Sequence, residues 1–226
     1  MIKYNHVYKT YPNNVRGLQD VTLTIDDGEM IFVTGHSGAG KTTLLKLLLK
    51  AEEPTDGDIV VKDSMNGELN LRELVKEDIP YYRRTVGTVF QDYLLLEDKT
   101  VWENVAFAMR IIGAEEREVI ERVSDILIKM NLMDKRDCYP SELSGGEQQK
   151  TAIARAIINN PLVVIADEPT GNLDAEASKE IIDIFKEINN KGKIVIIATH
   201  DNEVISRENK RVIKLEDGVL VGDYRK

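Results

Sequence analysis

Two five-residue runs, "LVVIA" at 162–166 and "IVIIA" at 194–198, are apolar at every position. Runs of that length without alternation predict strands buried on both faces. "MIFVT" at 30–34 is a third, closed by Gly35. "HVYKTY" at 6–11 and "DVTLTI" at 20–25 alternate instead, as strands with one wet face do. "DIVVKD" at 58–63 and "VGTVF" at 86–90 also read as strands. Asp26-Asp27-Gly28, between "DVTLTI" and "MIFVT", predicts a hairpin turn, and "KRVIKLEDGVLVGDY" at 210–224 predicts another around Asp217-Gly218.

Helical spacing marks "KTTLLKLLLK" at 41–50, broken by the Pro and Gly of "EEPTDGD". It recurs in "KTVWENVAFAMRII" at 99–112, "EEREVIERVSDILIKMNL" at 115–132, "KTAIARAII" at 150–158 and "AEASKEIIDIFKEINN" at 175–190. Glu115, Glu116 and Glu118 open the second of these, where the helix dipole favours acid. Strands alternating with helices predict an α/β fold with a mostly parallel, wrapped sheet. The β-rich start adds an antiparallel layer. One domain over 1–226 is expected, with core and β layer at about 1–91 and 156–226 and a helical subdomain at about 92–155.

Composition narrows the partners. The net charge of −9 and pI of about 5.0 argue against non-specific nucleic-acid binding, which needs cations on phosphates. A single cysteine, Cys138, allows no intrachain disulfide and suits a reducing compartment. The start, "MIKYNHVYKT", lacks the apolar core of a signal peptide, and no apolar run nears the ~20 residues of a membrane span. The expected location is the cytoplasmic side, with any membrane link made through a partner.

"GHSGAGKT" at 35–42 fits G-x-x-x-x-G-K-[ST], with a strand before it and a helix after. Gly35, Gly38 and Gly40 let the backbone curl so that successive N–H groups form an anion nest, and the helix N-terminus adds its dipole. Gly35, His36, Ser37, Gly38, Ala39, Gly40, Lys41, Thr42 and Thr43 are the candidate nucleotide-phosphate ligands, and the loop alone leaves the class of NTPase open. Lys41 would reach the β- and γ-phosphates and Thr42 would ligate Mg²⁺. His36 on its own, like His6, also reads as incidental.

Three strand ends add to the loop. "LVVIADEPT" delivers Asp167 toward the Mg²⁺ side and sets Glu168 where a carboxylate can orient or deprotonate the attacking water. "IVIIATH" ends in His200, able to hydrogen-bond a γ-phosphate; alone it would equally be structural. Gln91, ending "VGTVFQ", can accept from Mg²⁺-bound water or donate to phosphate. Thr42, Gln91 and Asp167 are thus the candidate Mg²⁺ ligands, and Glu168, His200 and Gln91 the candidate catalytic groups.

The order of phosphate loop, Gln91, "LSGGEQQ" at 143–149, "VVIADEPTGNLD" and "ATH" resembles the ATP-binding cassette (ABC) family over about residues 2–222. The resemblance implies a P-loop NTPase cassette with a RecA-like core, and an ATPase with ATP and Mg²⁺ as cofactors. It implies that an aromatic residue upstream of the loop stacks on adenine; Tyr11 matches, with Tyr8 the competitor. It also implies an ATP-dependent head-to-tail homodimer. Ser144, Gly145, Gly146 and Glu147 would then serve the partner's γ-phosphate, again through a helix N-terminus, with Asp174 at the dimer interface. Lys150, Glu147 and Thr42-Thr43 are mild departures from common family residues.

Within the family, "DEPTGNLDAE" and "FQDYLLLEDKTVWENVAFAMRIIG" resemble the FtsE-type cell-division branch, with lipoprotein-release and export cassettes (LolD and MacB types) as the alternative. The FtsE-type reading implies an FtsX-like integral membrane partner, a peripheral place on the cytoplasmic face of the membrane, and control of peptidoglycan hydrolysis. Leu94, Leu95 and Leu96 either dock that partner or pack the helical region. A DNA- or ribosome-directed cassette is disfavoured by the acidic balance, the single cassette and the lack of a long heptad run. A cassette that binds ATP without hydrolysing it is disfavoured by Glu168 and His200.

Overall fold

The computed structural model describes residues 1–63 and 67–225; residue 226, the last of the expected domain, lies outside the described residues. The strands are β1 (Ile2–Thr10), β2 (Arg16–Ile25), β3 (Met30–Thr34), β4 (Asp56–Asp63), β5 (Gly67–Asn70), β6 (Val86–Phe90), β7 (Val163–Asp167), β8 (Ile194–Ala198), β9 (Arg211–Glu216) and β10 (Val219–Arg225). The helices are α1 (Lys41–Leu48), α2 (Ile79–Arg83), α3 (Val101–Ile111), α4 (Glu116–Lys129), α5 (Gly145–Ile157), α6 (Ala175–Asn190) and α7 (Asn202–Arg207).

One sheet is antiparallel, in the order β2-β1-β4-β5; the other runs β10-β9-β3-β8-β7-β6. In the second, β9, β3, β8, β7 and β6 are parallel and β10 returns antiparallel along the edge. The predicted turn at 26–28 exists, with Glu29 N bonded to Asp26 O, but it does not close a hairpin. Its two strands belong to different sheets. Strand β3 is buried on both faces and takes the interior of the parallel sheet, whereas β2 alternates and suits a one-sided layer. The true N-terminal hairpin joins β1 to β2 through Tyr11–Val15, with Asn14 at φ 61°. The second predicted hairpin, β9 to β10, is present, with Asp217 and Gly218 both at positive φ as a two-residue turn demands.

Successive residues of the buried strands face opposite cores. Met30 and Phe32 of β3, Val164 and Ala166 of β7, and Val195 and Ile197 of β8 join the cluster beneath α3–α6. Ile31 and Val33, Val163 and Ile165, and Ile194 and Ile196 join the cluster shared with α1 and the antiparallel sheet. Val101, Val105, Val123 and Leu127 of the helical region lie in the first of these clusters, so that region and the sheet share one hydrophobic interior.

Asn104 ties down the segment before α3. It is fully buried; its side chain accepts from Leu96 N at 2.8 Å and donates to the carbonyls of Leu96, Lys99 and Thr100. Sequence reading gave it no role, because a lone Asn in a helix carries no periodic signal.

Candidate active site

The parallel strands bring their C-terminal ends to one edge, where ligands bind in such sheets. Beyond β3 the chain curls through residues 35–40 into α1. Gly35 is at φ 154°, and a Cβ there would lie 2.3 Å from the carbonyl of Leu215; at Gly40 (φ 106°) a Cβ would lie 2.5 Å from that of Gly17. The loop is wedged between two backbones, and only glycine fits. Gly38 faces open space, with nothing within 4 Å of where a Cβ would stand. Ala39 and Thr43 are buried, while His36, Ser37 and Thr42 are exposed. His36 turns sideways, its Nδ1 2.7 Å from Ser37 O and its Nε2 3.3 Å from Asp217.

Lys41 is nearly buried and its ammonium donates to Gly35 O at 2.8 Å and His36 O at 3.3 Å. It also stands 3.6 Å from Glu168 Oε1. Thr42 Oγ1 donates to Asp167 Oδ2 at 2.8 Å. Burial raises the pKa of Asp167, partly offset by the Thr42 hydrogen bond. Glu168 takes the left-handed conformation (φ 49°), costly for a non-glycine residue. Its N–H bonds Ala198 O at 2.8 Å, which pins the turn to β8. The carboxylate thereby reaches His200, with Nδ1 at 3.0 Å. Five of the predicted side chains thus form one linked triad, Lys41–Glu168–His200, and one pair, Thr42–Asp167.

Gln91 lies one residue beyond the pairing of Phe90 with Asp167. Its amide meets Asn172, 3.4 Å from Oδ1, and Asn172 donates back to Gln91 O at 3.3 Å. Sequence reading missed Asn172. Tyr11 lies at the loop's flank: its hydroxyl is 3.2 Å from Thr43 Oγ1, and Lys9 sits 5.0 Å from the ring centre. Gly17 lets them meet, since a Cβ there would be 2.9 Å from both Tyr11 and Thr43.

Ser144, Gly145, Gly146 and Glu147 form the first turn of α5. Ser144 caps it: its Oγ accepts from Glu147 N, and Glu147 Oε2 accepts from Ser144 N at 2.8 Å and Oγ at 2.9 Å. The backbone hydrogen bond from Ser144 holds the Glu147 carboxyl below its usual range. Among the described residues no hydrogen bond or ion pair joins this turn to residues 35–43 of the same chain. Asp174 is exposed and caps α6, accepting from Ala177 N at 2.8 Å. Gln149 was also missed; fully buried, it donates to Pro169 O at 2.7 Å and so ties α5 to the turn after β7.

Of the three leucines after Gln91, Leu94 is exposed, Leu95 is buried and Leu96 is intermediate. Phe107 and Ile111, four apart on α3, are exposed as well. Among the described residues no helix is long and apolar enough to cross a membrane.

Residues 18–171 match the ABC transporter family model. The chain belongs to the ABC transporter family and is an ATPase of that type. It is 46% identical to the cell division ATP-binding protein FtsE of Bacillus subtilis, over 99% of this chain and 96% of that one. It is 46% identical to FtsE of Escherichia coli, over 98% of each. Among solved structures it is similar to a dimeric structure of MJ0796, a bacterial ABC transporter cassette, with TM-score 0.88 and 33% identity over 100% of this chain and 98% of that one. A dimeric post-hydrolysis state of the same cassette bound to ADP and phosphate gives TM-score 0.88 at 32% identity, with the same coverage.

Proposed function

We propose that this chain is the ATP-hydrolysing subunit of a cell-division ABC complex of FtsE type, working as a homodimer on an integral membrane partner. The observation that carries the catalytic reading is the Lys41–Glu168–His200 cluster beside the Thr42–Asp167 pair. The donor set suits the cofactor: a threonine hydroxyl and a carboxylate are hard oxygen ligands of the kind Mg²⁺ prefers. Thr42 and Asp167 would hold the ion, with Gln91 beside them, and Mg²⁺ there supplies electrostatic stabilisation to the phosphoryl oxygens.

The chain's own groups do the rest. The nest at 35–40 and the N-terminus of α1 hold the phosphates, and Tyr11 flanks the base. Lys41 exchanges its contacts with Gly35 O and His36 O for the β- and γ-phosphate oxygens. That exchange also frees Glu168, which orients the attacking water and accepts its proton. The water oxygen bonds phosphorus as the bond to the β-phosphate oxygen breaks, giving ADP and phosphate. His200 donates from Nδ1 to Glu168 in the resting site and turns that donor to the γ-phosphate as Glu168 takes the water's proton.

Ser144 and the N–H groups of Gly145 and Gly146 serve the γ-phosphate bound by the partner copy. Support comes from Ser144, exposed at the start of that helix, and from the absence of any tie between this turn and its own loop among the described residues. Asp174 faces the same interface. Residues 92–155 act as the helical region of a single domain, and Leu94 with Phe107 and Ile111 provides apolar surface for an FtsX-like partner. The protein is then peripheral on the cytoplasmic membrane face, and closure of the pair passes to enzymes that cut peptidoglycan.

The test is Glu168→Gln in saturating Mg-ATP. ATP binding stays, turnover falls by roughly 10²–10⁴-fold, and light scattering finds a dimer that reverts to monomer with ADP. Full turnover in this variant would overturn the role of Glu168, and a monomer in ATP would overturn the paired site.

A further inference from the structure

A cavity of about 260 Å³ opens at the opposite edge of the sheet from the phosphate loop, between α4, the end of α5, and α6. It reaches Pro161, just before β7, and Lys193, just before β8, so the five-residue parallel strands separate it from the nucleotide edge by about 16 Å. Its inner wall is apolar: Ile126, Met130, Ile158, Val164, Ile184 and Ile188. Ile126 and Ile184 are only half-buried, so the wall is left wet.

Its mouth is cationic on a chain of net charge −9. Arg122 there is paired with Glu118 at 2.8 Å. Lys129, Lys191 and Lys193 make no ion pair among the described residues, although Asp125 and Glu187 also line the rim. Burial pushes the Lys193 ammonium's pKa down.

We propose that this cavity binds a soluble amphiphilic carboxylate, its alkyl body against the isoleucines and its head among Lys129, Lys191 and Lys193. Each half of the site favours the combined ligand over a simpler one. A neutral apolar molecule would gain nothing from the lysines, and a small polar anion would leave the isoleucine wall wet. The volume sits just under the ~300 Å³ at which small-molecule sites begin, which suits a medium alkyl chain rather than a two-chain membrane lipid.

The bound anion would also act on turnover. Ile157 and Ile158, at the end of α5, line the cavity, and Ser144 caps the other end of that helix. At 1.5 Å per residue its 13 residues span about 20 Å as one rod. A ligand wedged between α5 and α6 fixes the tilt of that rod, and with it the position of the turn offered to the partner copy. This coupling rests on the proposed role of Ser144; the binding does not.

The test titrates the full chain with decanoate, decanol and acetate, below the micelle concentration of decanoate, by calorimetry. Decanoate is expected to bind at least tenfold tighter than decanol, and acetate not at all. In Lys129→Gln/Lys193→Gln, decanoate affinity falls at least fivefold while decanol is unchanged. In Ile184→Ala both fall. Decanoate binding no tighter than decanol, or equally tight in the lysine variant, would overturn the site. A twofold or larger change in ATP turnover on adding decanoate, absent from the lysine variant, supports the coupling. Tight binding with unchanged turnover would overturn the coupling and keep the site.

Discussion

The guanidinium of Arg155 donates a 2.7 Å hydrogen bond to the carbonyl of Leu94, 61 residues earlier in the chain. A second bond, at 3.0 Å, goes to Tyr93 O. Tyr93 and Leu94 are both in the left-handed region, at φ 58° and 49°, a conformation that costs ~1–3 kcal/mol at each non-glycine residue. Arg155 sits in α5 and is half-buried, and that burial lowers its pKa. It holds the strained segment after Gln91 against the helix that starts at Ser144. Arg155→Ala should speed amide exchange across 92–96 and cost ~1.5–3 kcal/mol, the range for a hydrogen bond to a charged group. Unchanged exchange there would remove the clamp.

Asn104 makes a separate prediction about the same region. Asn104→Ala leaves Leu96 N and nearby carbonyls unpaired in the interior, at a cost of ~1–3 kcal/mol. Urea denaturation measures it. A loss below about 0.5 kcal/mol would mean the 96–100 segment is held elsewhere.

Glu147 gives a pH signature. Its folded-state pKa is lowered, chiefly by the backbone hydrogen bond from Ser144, so the folded protein binds that proton more weakly than the unfolded chain does. The stabilisation is complete above the unfolded pKa of about 4.3 and is lost as pH falls through the lower folded value. Glu147→Gln keeps the shape of the cap but not the charge. It should be less stable than the parent at about pH 7, and the gap should narrow as pH falls below about 4.3 and close once the folded value is passed. Parallel urea curves at the two pH values check this; a gap that persists in acid would trace to packing instead.

Lys41→Ala should abolish nucleotide binding by calorimetry while the chain stays folded by circular dichroism. Normal ATP affinity in a folded variant would sink the assignment of residues 35–43.

Strand type and the phosphate loop could be read from the chain because they are local. "MIFVT", "LVVIA" and "IVIIA" carry their burial in their composition, and the strand–loop–helix order around Gly35–Thr42 constrains itself. The 26–28 turn misled because a turn dipeptide reports its own conformation and not which sheets its flanking strands join. Glu168 and His200 were found at strand ends, yet their 3.0 Å contact depends on the left-handed turn at Glu168, which no residue type there signals. Arg155, Asn104, Asn172 and Gln149 escaped for one reason. Each is a single polar residue whose partner is distant in sequence or is backbone. The short helices α2 and α7, of five and six residues, are below the length at which periodicity can be seen.

Strand β3, which leads into the phosphate loop, pairs on one side with β8 (Met30 opposite Val195) and on the other with β9 (Ile31 opposite Arg211). Gly35 closes against the carbonyl of Leu215. During synthesis, the chain therefore makes its phosphate loop early and the braces for it last. Until β8 and β9 emerge, β3 has neither neighbour and the nest has only its Gly17 wall, without the Leu215 one, since long-range parallel pairings form late. A nascent or truncated chain that ends before β8 would carry the whole loop sequence, yet lack the frame that makes it a receptor for phosphate.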